Sequence, residues 1–467
     1  MLRWLGLVLF LAVVLVGGAY VAAGQTTPAT LSIDQPTGPV GQAGTLQVTA
    51  QVPRALFARL DATLEQNGKV FPLFSLDDPL KATITGADAQ RLDVDHLLIT
   101  RSIGKAAIPE LQQGPARITV TAARTSFLRI RDVYTTASKD IEVRLEPPRI
   151  AVLSTKHYVN QGGSEMVIYR ATPPDVESGV RVGNIEYRGY PAGGAGIAGA
   201  DPSLKVAFFA LLHDQPLRER VVAFARDAAG NEVTASFVDD VFPKPFRKSR
   251  IPIDDRFLGR VVPEILQRSP QVKADPSDLL AGFLTVNGEL RRLNADQIAA
   301  LTRPSPAERL WSGPFVQLGN SQVEAAFADA RTYVYNGKEV DQQTHLGFDL
   351  AVTAAVPVQS ANAGKVVNAD WLGIYGNCVI IDHGMGVASL YGHLSSIDVK
   401  VGDTVSKGQV LGRSGMTGLA GGDHLHFTML VGGHPVNPVE WWDAHWIEDR
   451  IERKLMEAGA PAAAGTR

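Results

Sequence analysis

The chain opens with an apolar run and continues with shorter alternating stretches. Residues Trp4 to Ala23 contain no charged side chain, and Arg3 precedes them. At about 1.5 Å per residue, a helix of this length spans roughly 30 Å, the thickness of the apolar layer of a bilayer. We therefore expect residues 1–24 to be a signal anchor or a signal peptide. The rest of the chain would then lie in the cell envelope, anchored in the cytoplasmic (inner) membrane and facing the periplasm or outer side, or be secreted if the segment is cleaved.

Two groups of alternating stretches follow. In Thr45–Ala50 and Ala116–Ala122 apolar and polar residues alternate, which is typical of strands with one buried face. The pair Pro147–Pro148 ends the first group, because proline cannot donate to a sheet ladder. The second group extends to Phe242 and contains a hairpin pattern around Asp227–Asn231. This hairpin resembles the last hairpin of bacterial immunoglobulin-like modules, and we predict two immunoglobulin-like β-sandwich modules.

The spacing of apolar residues changes after residue 250. Phe257, Val261 and Ile265 recur every four residues, which indicates a helix. Asn294 precedes another helical pattern and is expected to cap it. The sequence thus predicts a mainly β fold with six parts: 1–24 signal segment, 31–147 β-sandwich module 1, 148–242 β-sandwich module 2, 243–310 linker and helical connector, 311–446 C-terminal domain, and 447–467 C-terminal helix and flexible tail.

Composition excludes several classes of protein. Of 467 residues, 45% are hydrophobic and 20% are charged, which excludes a disordered or collagen-like chain. The 45 Lys and Arg residues nearly balance the 48 Asp and Glu residues, leaving a net charge of -3. Without a basic field, we expect no nucleic acid partner. A single cysteine, Cys378, excludes an internal disulfide framework.

Histidines concentrate in the last third of the chain. Seven of the 10 lie after residue 340, and imidazole is the commonest metal ligand and a general base near neutral pH. The first motif is His345-Leu-Gly-Phe-Asp349. On a fully extended strand its outer residues would lie about 13 Å apart, too far to share one ion. The chain must bend between them, and Gly347 permits a bend.

Two further motifs contain histidine. In His424-Leu-His426 the two imidazoles would share one side of a strand, about 6.6 Å apart, with Leu425 facing the core. One imidazole could bind a metal while the other faces the reacting water. The third motif, Tyr391-Gly-His393-Leu, is by itself equally compatible with a core or capping histidine.

The three motifs together resemble a known family. They occur in the order H-x-x-x-D, Y-G-H-L and H-L-H, with a hairpin pattern around Gly408 between the last two. Residues from about 321 to 440 resemble the M23 peptidases, the LytM or lysostaphin-type zinc endopeptidases. The resemblance implies a compact antiparallel β peptidase domain at 311–446, with a groove that cuts peptide cross-links of the bacterial cell wall. It also implies one Zn2+ per chain, metal ligands His345, Asp349 and His426, and catalytic histidines His393 and His424.

Two functions follow from this resemblance. Two histidines and one carboxylate leave a coordination position open, as in catalytic zinc sites. We therefore expect a zinc-dependent endopeptidase that hydrolyses peptide cross-links of peptidoglycan with a metal-activated water. The sequence leaves open which of His393 and His424 is the general base. The alternative is a non-catalytic LytM-like regulator that binds and activates a cell-wall amidase. Expected partners are peptidoglycan, the cytoplasmic membrane through residues 4–23, and a protein regulator.

Overall fold

The structure is a computed structural model in which strands predominate. It describes residues 2–24, 27–52, 57–76, 89–93, 96–125, 132–275 and 277–460. The predicted flexible tail lies partly outside this range, at 461–467. The chain divides into two compact units: residues 1–148 with 226–232, and residues 149–225 with 233–467. The mainly β fold class is confirmed, while the predicted domain boundaries stay predictions.

The first unit begins with a helix and continues with antiparallel strands. Among residues with described side chains, no helix is both long and apolar enough to cross a membrane. The elements are α1 (Leu2–Gly24), β1 (Thr30–Gln35), β2 (Gly44–Gln51), β3 (Phe57–Gln66), β4 (Lys69–Leu76), β5 (Ala89–Asp93), β6 (His96–Ile103), β7 (Gly114–Thr125) and β8 (Asp132–Val143).

Two four-stranded sheets share one core in this unit. Their strand orders are β1-β2-β6-β5 and β4-β3-β7-β8. Alternation decides which side chains enter the core: in β2, Leu46, Val48 and Ala50 are buried and the residues between them are not. Leu64 of β3 and Ile118 of β7 face the same core from the other sheet. The immunoglobulin-like topology of this module stays a prediction.

The second unit holds the remaining elements. Its first strands are β9 (Arg149–Val152), β10 (Tyr158–Asn160), β11 (Ser164–Thr172), β12 (Glu177–Val182), β13 (Ile185–Arg188), β14 (Tyr190–Pro191), β15 (Leu204–Ala210), β16 (Val221–Arg226), β17 (Glu232–Ser236) and β18 (Asp240–Phe242). They form two four-stranded sheets, β14-β15-β11-β9 and β13-β12-β16-β17, and the pair β10-β18.

A strand and three helices come next: β19 (Lys248–Ile253), α2 (Asp255–Gln267), α3 (Leu279–Thr285) and α4 (Arg291–Thr302). The segment 286–290 between α3 and α4 is a π-helical turn. Asp254 caps α2 by accepting the amide of Phe257. The predicted cap at Asn294 is wrong. Helix α4 begins at Arg291, directly after the π-helical turn, so Asn294 is a buried residue inside the helix.

The C-terminal domain follows. Its strands are β20 (Gln322–Ala325), β21 (Asp329–Tyr335), β22 (Lys338–His345), β23 (Phe348–Ala351), β24 (Pro357–Gln359), β25 (Gly364–Trp371), β26 (Asn377–Asp382), β27 (Val387–Leu394), β28 (Ser396–Ile397), β29 (Thr404–Val405), β30 (Val410–Arg413), β31 (His424–Val431) and β32 (His434–Val436). The last helices are α5 (Pro438–Trp442), α6 (Ala444–Ile447) and α7 (Arg453–Glu457), with a π-helical turn at 448–452 between α6 and α7.

One antiparallel sheet dominates this domain. Its order is β20-β23-β31-β27-β26-β25-β29, with β32 beside β31. A second sheet, β19-β21-β22, includes the predicted linker, since Lys248–Ile253 pairs in parallel with β21. The connector is therefore built into the sheet next to the C-terminal domain and is not a free tether.

The second unit has a core that continues from its first sheets into the C-terminal domain. Phe208 of β15 lies 6.3 Å from Trp311 and 6.0 Å from Trp441, measured between ring centroids. A buried ion pair joins the same two regions: Lys454 Nζ of α7 lies 2.8 Å from Glu165 Oε1 of β11. Their side chains are 4% and 0% exposed. Burial raises the pKa of Glu165, and the charge of Lys454 opposes this shift.

We expect Lys454→Met to destabilise the second unit by about 3 kcal/mol, because the buried Glu165 carboxylate loses its 2.8 Å partner and keeps only Arg450 at 3.8 Å. Arg453→Met is the matched control, since Arg453 is 48% exposed and pairs with Asp449 on the surface. It should cost at most about 1 kcal/mol. Denaturant unfolding followed by tryptophan fluorescence reports on this unit, which contains every tryptophan except Trp4. Equal losses in both variants would contradict the expectation.

Candidate metal centre and active site

Strand register brings two of the predicted ligands together. In the pairing of β23 with β31, Asp349 lies opposite His426. His345 is the last residue of β22, and the chain bends at residues 346–347 before β23 begins. A Cβ atom on Gly347 would lie 2.5 Å from His426 Nε2. Glycine is therefore required where the chain passes the second imidazole.

His345, Asp349 and His426 point their ligand atoms at one place. Asp349 Oδ1 lies 2.9 Å from His345 Nε2 and 2.9 Å from His426 Nδ1. The two nitrogens lie 3.1 Å apart. Within the described part of the chain, this is the group of three suitable side chains that could hold a metal ion. The arrangement brings the three predicted ligands within reach of a single ion.

Hydrogen bonds behind the imidazoles fix which nitrogen carries the proton. His345 Nδ1 lies 3.1 Å from the carbonyl oxygen of Ala326, which can only accept, so Nδ1 is protonated. His426 Nε2 lies 3.0 Å from the Thr428 hydroxyl, whose own proton goes to the Leu346 carbonyl. Nε2 of His426 is therefore also protonated. The other nitrogen of each ring, His345 Nε2 or His426 Nδ1, faces Asp349 and directs a lone pair there when the ring is neutral.

A divalent cation fits this donor set. Two neutral nitrogens and a carboxylate oxygen at about 3 Å from each other repel through their lone pairs unless a positive charge lies between them. Two imidazoles and one carboxylate are a common zinc set and leave a further position for water or substrate. His345, Asp349 and His426 would therefore hold the zinc ion implied by the sequence.

Arg331, on β21, completes the centre and was missed in the sequence. Its Nη2 lies 2.9 Å from Asp349 Oδ2, so each carboxylate oxygen has its own partner. Burial alone would raise the pKa of Asp349, but His345, His424 and His426 lower it well below its usual range. The hairpin turn at Asn336–Gly337 gave only part of the signal for Arg331, because a bulge between Tyr333 and Val334 shifts the register by one residue. Only after this shift does Asp329 pair with His345, with Arg331 two residues from Asp329 on the same face.

The two predicted catalytic histidines stand beside this group. His393 and His424 have ring centroids 4.8 Å apart, and His424 Nε2 lies 3.5 Å from Asp349 Oδ1. His393 Nδ1 donates to the Thr417 carbonyl at 2.8 Å, and His424 Nδ1 donates to the Gly422 carbonyl at 2.9 Å. Nε2 of each ring is thus not bonded to the backbone, and that of His424 faces Asp349.

The surroundings move the pKa values of these two histidines in opposite directions. Burial, followed by the charges of His424 and His426, lowers the pKa of His393 well below its usual value. Burial also disfavours the charged form of His424, but its hydrogen bond to Asp349 and the charge of that carboxylate raise the pKa overall. The pair is therefore divided between one neutral ring and one ring that holds a proton more readily.

A small cavity of about 100 Å³ connects all five predicted residues. Tyr375 and Arg291 also line it, and the sequence indicated neither. The Tyr375 ring lies 5.4 Å from that of His426. The other late histidines lie elsewhere. His383 binds Ala363 and Ser389, His434 packs on Tyr187, and His445 is exposed.

Comparison with known proteins agrees with this geometry. Two imidazoles and one carboxylate that leave a coordination position open are a ligand set of catalytic zinc sites. Residues 343–438 match the family described as Peptidase family M23. The C-terminal part of the chain is therefore an M23 peptidase domain.

Three proteins illustrate the similarity. The chain is 43% identical over 161 residues to peptidoglycan DD-endopeptidase ShyA of Vibrio cholerae, and this match covers 34% of each of the two chains. It is 37% identical over 95 residues to murein hydrolase activator EnvC of Escherichia coli, 20% of this chain and 23% of EnvC. The catalytic domain of lysostaphin from Staphylococcus simulans is 30% identical, covering 26% of this chain and 92% of that domain, with a TM-score of 0.23. The chain thus spans about a third of the length of ShyA and about a quarter of that of EnvC.

We expect His345→Ala to abolish zinc binding, reducing a content of about one ion per chain to nearly none, because it removes one of three protein ligands. His445→Ala, at an exposed position outside the cavity, should leave the content unchanged. Elemental analysis after dialysis against zinc measures both. Full zinc content in His345→Ala would show that the ion binds elsewhere.

We expect Arg331→Gln to weaken zinc binding about 10- to 100-fold, because Asp349 loses the donor that orients it. Relief of charge repulsion is the smaller effect, since Asp329 and Asp349 already offset the charge of Arg331. Arg250→Gln is the control, because Arg250 is exposed and pairs with Glu339. Competition with a chromogenic chelator gives the dissociation constants. Equal affinity in the two variants would refute an orienting role.

Proposed function

We propose that this protein is a zinc-dependent endopeptidase that hydrolyses peptide cross-links of bacterial peptidoglycan. The observation that carries the proposal is the single cavity in which His393 and His424 accompany the group formed by His345, Asp349 and His426. A bound metal ion alone needs only the last three residues. Hydrolysis also requires proton transfer, which two further imidazoles can provide through Nε2 atoms that are not bonded to the backbone.

The chain's own residues supply proton transfer and orientation. Zinc held by the three ligands would polarise the scissile carbonyl and the attacking water. Because Nδ1–H of His393 and of His424 donates to a backbone carbonyl, each ring presents Nε2 to the cavity. One of them can accept the proton of the water, and the other can stabilise charge on the substrate oxygen or donate to the leaving amine. Arg331 keeps the carboxylate of Asp349 fixed during these steps.

Peptidoglycan as the substrate is supported by the relatives. ShyA is named a peptidoglycan DD-endopeptidase and is 43% identical to this chain over 161 residues. A DD-endopeptidase cuts an amide between two D-configured centres. We extend this substrate class to the present protein on the strength of the shared segment and the complete set of side chains.

The alternative function is regulation of a cell-wall amidase. The similarity over 95 residues to a protein named murein hydrolase activator EnvC supports this alternative. A regulator needs a binding surface but no free histidines beside a metal site. The geometry of the cavity therefore favours the enzyme.

The proposed place of action is the cell envelope. Residues 4–23 contain no charge and follow Arg3, as in an anchor with its positive end in the cytoplasm. Membrane fractions that keep the protein after an alkaline carbonate wash would support anchoring. Recovery in the soluble fraction of a cell lysate would refute it.

We expect the zinc-loaded protein, residues 27–467, to release peptides from purified sacculi, and His393→Ala or His424→Ala to lower the rate about 10²- to 10⁴-fold. Both variants should keep their zinc, because neither residue is one of the three ligands. Mass spectrometry of the released peptides identifies the bond that is cut. Two results together would establish the regulator instead. The parent protein would leave sacculi intact, and an amidase would digest sacculi faster in its presence than alone.

A further inference from the structure

The cavity of the metal centre has a wall that does not come from the peptidase segment. Arg291 lines the cavity, yet it belongs to helix α4 and lies 52 residues before the matched segment begins at 343. Among the described residues, no carboxylate lies within ion-pair distance of its guanidinium. A guanidinium without a carboxylate partner, next to a candidate active site, is available to bind an anionic ligand.

The position of Arg291 is fixed by the preceding turn. Its Nε donates to the carbonyl of Asn287 at 3.2 Å, and its Nη2 donates to Asn287 Oδ1 at 2.6 Å. Asn287 is fully buried and donates in turn to Asp341 Oδ2 at 2.7 Å. It lies in the π-helical turn 286–290, and such turns are frequent at functional sites. The side of the guanidinium that Asn287 does not use is therefore held in place.

The charges around the cavity favour an anion. Arg291 and Arg331 line it together with one carboxylate, that of Asp349. Arg331 already pairs with Asp349, so Arg291 supplies the uncompensated positive charge. A planar guanidinium matches a carboxylate with two parallel hydrogen bonds, which gives it geometric as well as electrostatic selectivity.

We infer that Arg291 is a specificity-determining residue that binds a free carboxylate of the substrate beside the bond to be cut. The inference rests on the proposed function and names its substrate class: peptides in which the residue that leaves as the amine carries a carboxylate on the carbon next to the scissile nitrogen. An amide between two D-centres has this feature when the leaving residue is a D-amino acid with a free carboxyl group. Asn287 is the positioning residue that holds the guanidinium toward that group.

The test compares two peptides that differ only at the carboxylate. One ends in D-Ala-D-Ala with a free C-terminus, and the other ends in the corresponding amide. Binding is measured by calorimetry on His424→Ala loaded with zinc, and cleavage is measured on the otherwise unchanged protein. We expect the acid to bind about 10- to 100-fold more tightly than the amide, as one charge-assisted pair provides. In Arg291→Gln this preference should disappear, while binding of the amide stays the same.

Two further variants separate recognition from a structural effect. Arg292→Gln changes an arginine on the same helix that pairs with Asp296 and is 66% exposed, and it should keep the full preference. Arg291→Lys keeps the charge but loses the planar fork, and it should keep only part of the preference. Thermal unfolding verifies that all variants are folded. In the cleavage assay we expect a raised KM for the acid with little change in kcat.

Several outcomes would overturn the inference. One is that Arg291→Gln weakens binding of the acid and of the amide equally, and another is that it changes kcat alone. A third is that the parent protein binds neither peptide or shows no preference for the acid. The digestion of sacculi is an independent measurement. If sacculi are digested but Arg291→Gln keeps the preference for the acid, the inference alone fails. If sacculi stay intact while the acid preference depends on Arg291, the proposed function fails and the carboxylate site remains.

Discussion

The proton on His345 Nδ1 is the constraint on which the rest of the site depends. The Ala326 carbonyl fixes it there, and the Thr428 hydroxyl fixes the corresponding proton on His426. With both protons held outside, two lone pairs and the Asp349 carboxylate must face each other across about 3 Å. Such an arrangement of electron-rich atoms is unfavourable without a cation. The backbone fold thereby favours a positive charge at the point where these three side chains meet.

Strand geometry is local and therefore predicted part of how these side chains are grouped, while their roles as ligands and catalytic residues came from the family resemblance and stay predictions. Residues two positions apart on one strand point to the same face of the sheet. The spacing alone therefore placed His424 and His426 together. The bend at Gly347 followed from the length of an extended strand. The outer part could not be predicted in this way. Arg331 and Arg291 reach the cavity from other elements, and only a sheet register or a helix packing brings them there.

Two local patterns were outweighed by long-range contacts. Asparagine is a common helix-capping residue, yet Asn294 Oδ1 accepts a hydrogen bond from the amide of Ile374, 80 residues away in the sequence, at 3.0 Å. Residues 243–310 were predicted to begin as a linker, yet Lys248–Ile253 pairs with β21. In both cases a long-range partner outweighs the local preference. The apolar periodicity of α2 was predicted correctly because the helix buries one face whatever its partner is.

Helix α4 connects the two sides of the cavity mechanically. Its first residue, Arg291, reaches the cavity, and one turn later Asn294 holds the loop that carries Tyr375. Any shift of this helix would move both walls together. A peptidase domain excised at the limits of its family match would keep all five histidine and aspartate side chains and yet lose this support. Chains that share the same histidines can therefore differ in substrate choice through a helix that lies far upstream in their sequences.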